Sequence, residues 1–322
     1  MNQALVTLAF ALAVTGTGFA DEAKGVTLAF VGDIMLDSLP GDAIANGVDP
    51  FQAFSSELSG VDAAIGNLEC PVATSGTAFE KIYTFRAHPR VLPILSRHFA
   101  AVSLANNHSG DYGKAALLET FAGLDREHLP FFGAGPNLSA AHRALVLERA
   151  GLRIALLGYD EFQPRAFEAG VDTPGVAWSE DEQVISDIRA ARAQGADLVI
   201  PFLHWGWEYE GEPCPRQRAL SRAMLDAGAD AVIGAHPHVT QGAESYKGKP
   251  IVYSLGNFVF DGFEGEARTG WLLRLSANKH GIVHWQTLVA RLDEQGLPVP
   301  DREATSPCGD ASGVRLCRGG VR

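Results

Sequence analysis

The chain has 322 residues, 46% hydrophobic and 20% charged, an ordinary globular composition sufficient for one large domain or two small ones. Against 26 Lys and Arg stand 38 Asp and Glu, a formal charge of −12, which argues against general affinity for nucleic acid or anionic lipid. A phosphate substrate stays admissible, because a bound cation inverts the local field.

Residues 4–14 form an apolar run, followed by the small residues 15–18 and by Phe19-Ala20 ahead of Asp21-Glu22. This is the pattern of a secretory signal peptide cleaved after Ala20, though no basic residue precedes the run, and it predicts a periplasmic or secreted protein. The alternatives are an uncleaved anchor and a cytosolic location. Short apolar runs then alternate with helical spacing. Strands are expected at 26–31, 61–65, 100–104, 154–157, 198–203, 231–233 and 251–254, and helices at 91–97, 114–124, 181–194 and 216–227. Gly195 and Gly228 fall where helix C-caps belong. The alternation implies an α/β domain with strands buried on both faces. Stretches 271–276 and 282–292 read as antiparallel strands closing the sheet, so that one domain covers 26–293. From 298 to 322 the chain is rich in Pro, Gly and charge and reads as a poorly ordered tail. Cys308 and Cys317 enclose a short Gly-rich loop and are expected to pair. Cys70 and Cys214 each adjoin a site segment and could pair across it. Sequence alone cannot choose among the three pairings.

The polar clusters are informative by position. Gly32-Asp33 follows the first strand and Gly66-Asn67-Leu68-Glu69 the second. Asn106-Asn107-His108, His204-Trp205-Gly206 and His236-Pro237-His238 follow three others. Carboxyl ends of buried strands form the binding crevice of open α/β sheets, so these groups have a common place to meet. Carboxylate, amide oxygen and imidazole together suit one or two divalent ions, Mn, Zn or Fe. Two such ions clamp a phosphoryl group, and a His beside them protonates the leaving group. Singly, each residue has a plainer explanation: Asp33 as a helix N-cap, Glu69 as a solvated charge, Asn107-His108 as a turn. His236 and His238, alternating about Pro237, would point the same way from an extended segment. Five strand ends carrying ligand-type residues are not explained by capping alone.

These residues sit in the segments FVGDIML, GNLECPV, FRAHP, LANNHSGDYG, HWGWEYE, RQRALSRAMLDAGADAVIGAHPHVTQG and PIVYSLGNFVFD, within 26–262. Together they resemble the bacterial capsule-synthesis CapA family, associated with poly-γ-glutamate. The resemblance implies a metallophosphoesterase-like (calcineurin-like) α/β fold, a sandwich of mixed sheets flanked by helices. It also implies metal ligation by Asp33, Glu69, Asn107, His204, His236 and His238. Glu69 would bridge, His204 and His236 would complete the second metal and His238 the first, and His108 would be the catalytic acid. Arg86, Asn67 and Asn257 would contact substrate. Two departures stand out. Metallophosphoesterases usually carry Asp-x-His where this chain has Asp33-Ile34-Met35, and Gly-Asp-x-x-Asp where it has Gly66-Asn67-Leu68-Glu69. The implied function is a metal-dependent hydrolase or transferase acting on a phosphoester or an anionic cell-surface polymer, alongside envelope polymer-synthesis machinery. The alternative is a non-catalytic polymer-binding or export factor on the same scaffold.

Overall fold

The computed structural model describes residues 25–162 and 165–319; the signal-peptide expectation for residues 1–20 lies outside them. The expected strands form, but they divide between two sheets. In the first, the opening strand Val26–Ile34 pairs in parallel with Ala63–Leu68, which pairs in parallel with Ala101–Ser103. On its other side Val26–Ile34 pairs antiparallel with Thr269–Asn278, which pairs with Gly281–Leu292, as the two-strand closure anticipated. In the second sheet Leu152–Asp160, Leu198–His204 and Val232–Ala235 run parallel in that order.

The apolar runs explain the layering. Parallel strands buried on both faces leave no solvent side, so each sheet needs a cover on either face. Phe30, Ile65, Phe132, Ile154, Ile200 and Ile233 pack between the sheets in one cluster. The outer face of the second sheet is covered by Val184 and Ile188 of helix Asp181–Ala193 and by Leu220 and Met224 of helix Pro215–Ala227. The outer face of the first sheet packs Val31 and Val102 against Leu117, Phe121 and Leu124 of helix Gly113–Arg126. Phe30 is fully buried at the centre and meets Phe202 of the facing sheet edge-on, 5.9 Å between centroids. Phe30→Ala is expected to cost about 3–5 kcal/mol, checked by urea denaturation.

One correction concerns the C-terminus. Residues expected to form a loose tail instead make strands Pro298–Asp301, Thr305–Asp310 and Gly313–Arg318, all added to the first sheet. Their Pro and Gly content misled, because Pro is tolerated at sheet edges and Gly at the hairpin turn. Thr287 Oγ1 donates to the Pro307 carbonyl at 2.6 Å, and Ser306 Oγ donates to the Thr287 carbonyl at 2.9 Å. A Cys308–Cys317 disulfide ties the last two strands together. Cys70 and Cys214 are not paired with each other: Cys70 is buried and its thiol is pushed up to about 12 by that burial.

Both triplets of parallel strands end on the same side. The first strand carries a register irregularity between Val31 and Asp33. At Gly32 an added Cβ would lie 1.8 Å from the Gly256 carbonyl oxygen, so only glycine lets these backbones touch. The contact seats the Asp33 N–H on that oxygen at 3.0 Å and sets Asp33 opposite both Asn67 and Asn257.

Candidate metal centre

Asp33, Glu69, Asn107, His204, His236 and His238 come together where the two sheets' strand ends meet. Asp33, Glu69 and His236 are fully buried and His204 nearly so. Ligand atoms of Glu69, His204 and His236 lie within 4.8 Å of one another, as do those of Asp33, Glu69 and His238. Glu69 thus belongs to both sets. Asn107 joins the former: its Oδ1 is 2.8 Å from His204 Nε2, which lies 3.0 Å from His236 Nδ1.

The local backbone explains how two histidines one residue apart reach one site. The His-Pro-His stretch is not extended. His236 has φ of 99° and His238 of 60°, left-handed conformations that non-glycine residues adopt at a cost of order 1–3 kcal/mol, usually where function requires it. The His236 N–H contributes by donating to Asp33 Oδ2 at 3.2 Å.

Two residues expected to touch substrate are hydrogen-bonded within the cluster. Asn67 Nδ2 donates to Asp33 Oδ1 at 2.8 Å and lies 3.2 Å from His204 Nδ1, while its Oδ1 accepts from Asn106 Nδ2 at 3.0 Å. With both amide atoms engaged, Asn67 braces ligands from both sheets. Asn257 Oδ1 lies 2.9 Å from His238 Nδ1 and accepts its proton, which leaves Nε2 as the free lone pair. Arg86 is engaged elsewhere, donating to the Ser75 carbonyl at 3.1 Å and stacking over Tyr112.

His108 is 3.9 Å from Glu69 through Nε2. Its Nδ1 lies 2.8 Å from Asp111 Oδ2 and 3.2 Å from Lys81 Nζ. An ammonium has no lone pair to offer, so Asp111 takes the Nδ1 proton and Nε2 is turned to the cluster. Burial lowers the His108 pKa and Asp111 works against that shift. Sequence reasoning passed over Asp111, although its spacing of three from His108 in a tight turn was a usable signal. Lys81 pairs with Asp111 at 2.5 Å and donates to the Asn107 carbonyl at 2.9 Å. It comes from a loop with no local signature. A sixth strand end also carries a carboxylate: Asp160, opposite His204, is buried and raised by that burial to about 8. Local apolarity fades at 157, three residues short of it.

The donor set fits a divalent cation. Among the described residues, both Glu69 oxygens and His236 Nε2 are buried without a hydrogen-bond partner, an arrangement that costs about 1–3 kcal/mol per group unless a cation meets it. Burial, and then the charge of Asp33, pushes the Glu69 carboxyl well above its usual range. Burial and the neighbouring imidazoles push His204 and His236 well below theirs, which keeps them neutral as ligands must be.

Comparison with known proteins shows the family and the fold. The chain is 35% identical over 287 residues to the PGA biosynthesis protein CapA of Bacillus subtilis (strain 168), covering 85% of this chain and 73% of that relative. It is also 35% identical over 262 residues to the capsule biosynthesis protein CapA of Bacillus anthracis, covering 77% of this chain and 62% of the relative. Two solved structures share the fold. A 5'-nucleotidase precursor from Thermus thermophilus superposes with TM-score 0.54 at 13% identity, covering 85% of this chain and 56% of that one. A putative 5'-nucleotidase from Staphylococcus aureus gives 0.53 at 15%, covering 86% and 55%. The fold is therefore metallophosphoesterase-like α/β. Residues 27–262 match the family described as bacterial capsule synthesis protein PGA_cap, and the chain belongs to that family.

Proposed function

We propose that this chain is an exported, metal-dependent hydrolase or transferase that processes a cell-surface polymer or a phosphoester precursor of one. The single observation that carries the reading is Glu69, buried, without a hydrogen-bond partner and common to two ligand sets. Asp33, Glu69 and His238 would hold one ion, and Glu69, Asn107, His204 and His236 the other. Such ions would polarise a phosphoryl or acyl oxygen and supply a nucleophile at neutral pH. This chain's own residues do the rest. Asp111 holds the Nδ1 proton of His108, whose Nε2 faces the cluster and carries a proton to the leaving group. Asn67 and Asn257 fix the ligands, so little reorganisation is needed on loading. Among the described residues no helix is long and apolar enough to cross a membrane.

Position 35 favours a second reading. Met35, where relatives of this fold usually place a histidine, is fully buried and offers no imidazole. The first ligand set is left with three residues, as expected of a polymer-binding or export factor that has lost turnover. Elemental analysis of the protein purified without chelator separates these cases, combined with assay of a phosphodiester. One to two equivalents of Mn, Fe or Zn with turnover supports the hydrolase; metal without turnover on any phosphoester or polymer supports the binding factor. A protein that neither carries nor takes up metal refutes both ligand assignments.

A further inference from the structure

Two loops leave the cluster and carry an unusual load of exposed aromatic surface. The first, 79–85, passes over His108: Lys81 reaches Asn107 and His108, the Phe85 N–H donates to Asp111 at 2.8 Å, and the Phe85 ring lies 4.6 Å from the His108 ring. The second, 205–212, passes His238: the Tyr209 N–H donates to the Pro237 carbonyl at 2.9 Å, and the Tyr209 ring is 6.5 Å from His238. Both loops therefore form walls of the same mouth. On them Ile82 is 90% exposed, Tyr83 69%, Trp207 64% and Tyr209 61%. The backbone hold on Tyr209 keeps its ring presented rather than free to fold inward, at a left-handed φ of 63°. Aromatic rings bridge the two walls: Phe85 lies 5.4 Å from Phe260, Phe260 lies 4.9 Å from Phe263, and Phe263 lies 6.2 Å from Tyr209.

The charge on these walls is one-sided. Glu80, Glu208 and Glu210 are exposed on them. The sole basic residue in 79–85 is Lys81, already paired with Asp111, and 205–212 has none. Exposed apolar patches of this kind beside a site mark a ligand surface, and the acidic fringe excludes a polyanion from it. A neutral, hydroxyl-rich chain fits both features. Pyranose rings present C–H bonds to the electron-rich faces of Tyr and Trp, and their hydroxyls donate to carboxylates in charge-assisted hydrogen bonds.

We infer that Tyr83, Trp207 and Tyr209, with Glu80 and Glu208, form a subsite that holds an uncharged glycan chain beside the metal cluster. The inference deepens the proposed function and rests on it for what happens to that chain. Recognition itself needs no metal, so it can be tested separately.

The test titrates the full chain with hexamers of glucose and of N-acetylglucosamine, followed by tryptophan fluorescence and calorimetry, once with Mn and once with chelator. Saturable binding is expected in both conditions, weakened about ten-fold or more by Trp207→Ala and by Tyr83→Ala. These side chains are exposed, so the variants should melt like the parent. A poly-γ-glutamate hexamer should bind at least about ten-fold more weakly than the better glycan, and gain when Glu80 and Glu208 become Gln. Absence of Trp207-dependent binding by either glycan overturns the inference, as does tighter binding of the glutamate hexamer. Glycan binding by a protein that takes up no metal would sink the proposed function and leave the subsite standing.

Discussion

Glu69→Gln loses metal. Its affinity should fall by more than about 100-fold, beyond the 10–100-fold typical of residues that only orient ligands, because one carboxylate serves both ligand sets. Turnover should disappear with it. Elemental analysis of protein purified without added metal reads the loss, and Mn at a concentration that fills the parent should leave the variant mostly empty. In chelator the same substitution acts with opposite sign. The metal-free parent buries Glu69 with neither oxygen partnered and with Asp33 close by. Removing the buried ionisable group should stabilise the metal-free fold at neutral pH by about 1–3 kcal/mol.

The pH dependence follows. The folded pKa of Glu69 is raised well above 4.5, so above that pH the unfolded chain releases a proton that the folded chain retains. Stability of the metal-free parent should be greatest below about pH 4.5 as far as this group is concerned, and decline as pH rises toward the raised value. Chemical denaturation in chelator across this range should show the slope in the parent and its loss in Glu69→Gln. A metal-free variant less stable than the parent at neutral pH would mean that the carboxylate is stabilised by something other than a cation.

His108→Asn separates chemistry from binding. His108 is assigned to proton delivery, so kcat should fall by about 10²–10⁴ while metal content stays at the parent level. The leaving group makes the test specific. An alkyl phosphodiester needs a proton on its departing oxygen, whereas p-nitrophenolate leaves without one. The fall should therefore be much smaller for bis-p-nitrophenyl phosphate than for its alkyl counterpart. An equal fall for both would reassign His108 to holding the charge of the phosphoryl group. Loss of metal would make it a ligand.

Much of this site could be read before any geometry was known, for a specific reason. Ligands delivered by the ends of buried strands leave a local signature, an apolar run followed at once by Asp, Asn or His. Asp33, Asn107, His204 and His236 all announce themselves this way. Their supports do not. Lys81 arrives from a long loop, and Asp160 lies three residues beyond the point where apolarity faded. Only the fold reveals that the Asn67 amide is engaged by Asp33 and Asn106. The C-terminal strands were missed for a related reason. Composition alone cannot distinguish an edge hairpin, which tolerates Pro and Gly, from a loose tail. The sandwich of mixed sheets was implied by the family resemblance and not by local pattern, since the division of strands between sheets depends on which strands pair over long separations.

The meeting of the two sheets at one cluster has a consequence for how the protein is made. Asp33 and His236 are hydrogen-bonded across 203 residues of sequence. Asp33 lies on the first described strand of the chain, and His236 directly follows the fourth of the six strands of the second sheet. Either sheet alone offers half a coordination shell, too sparse to retain an ion against water or a competing chaperone. On the proposed ligand assignment, capture of metal would be confined to chains whose two halves have already docked, and the ion would be a late seal on assembly rather than a nucleus for it.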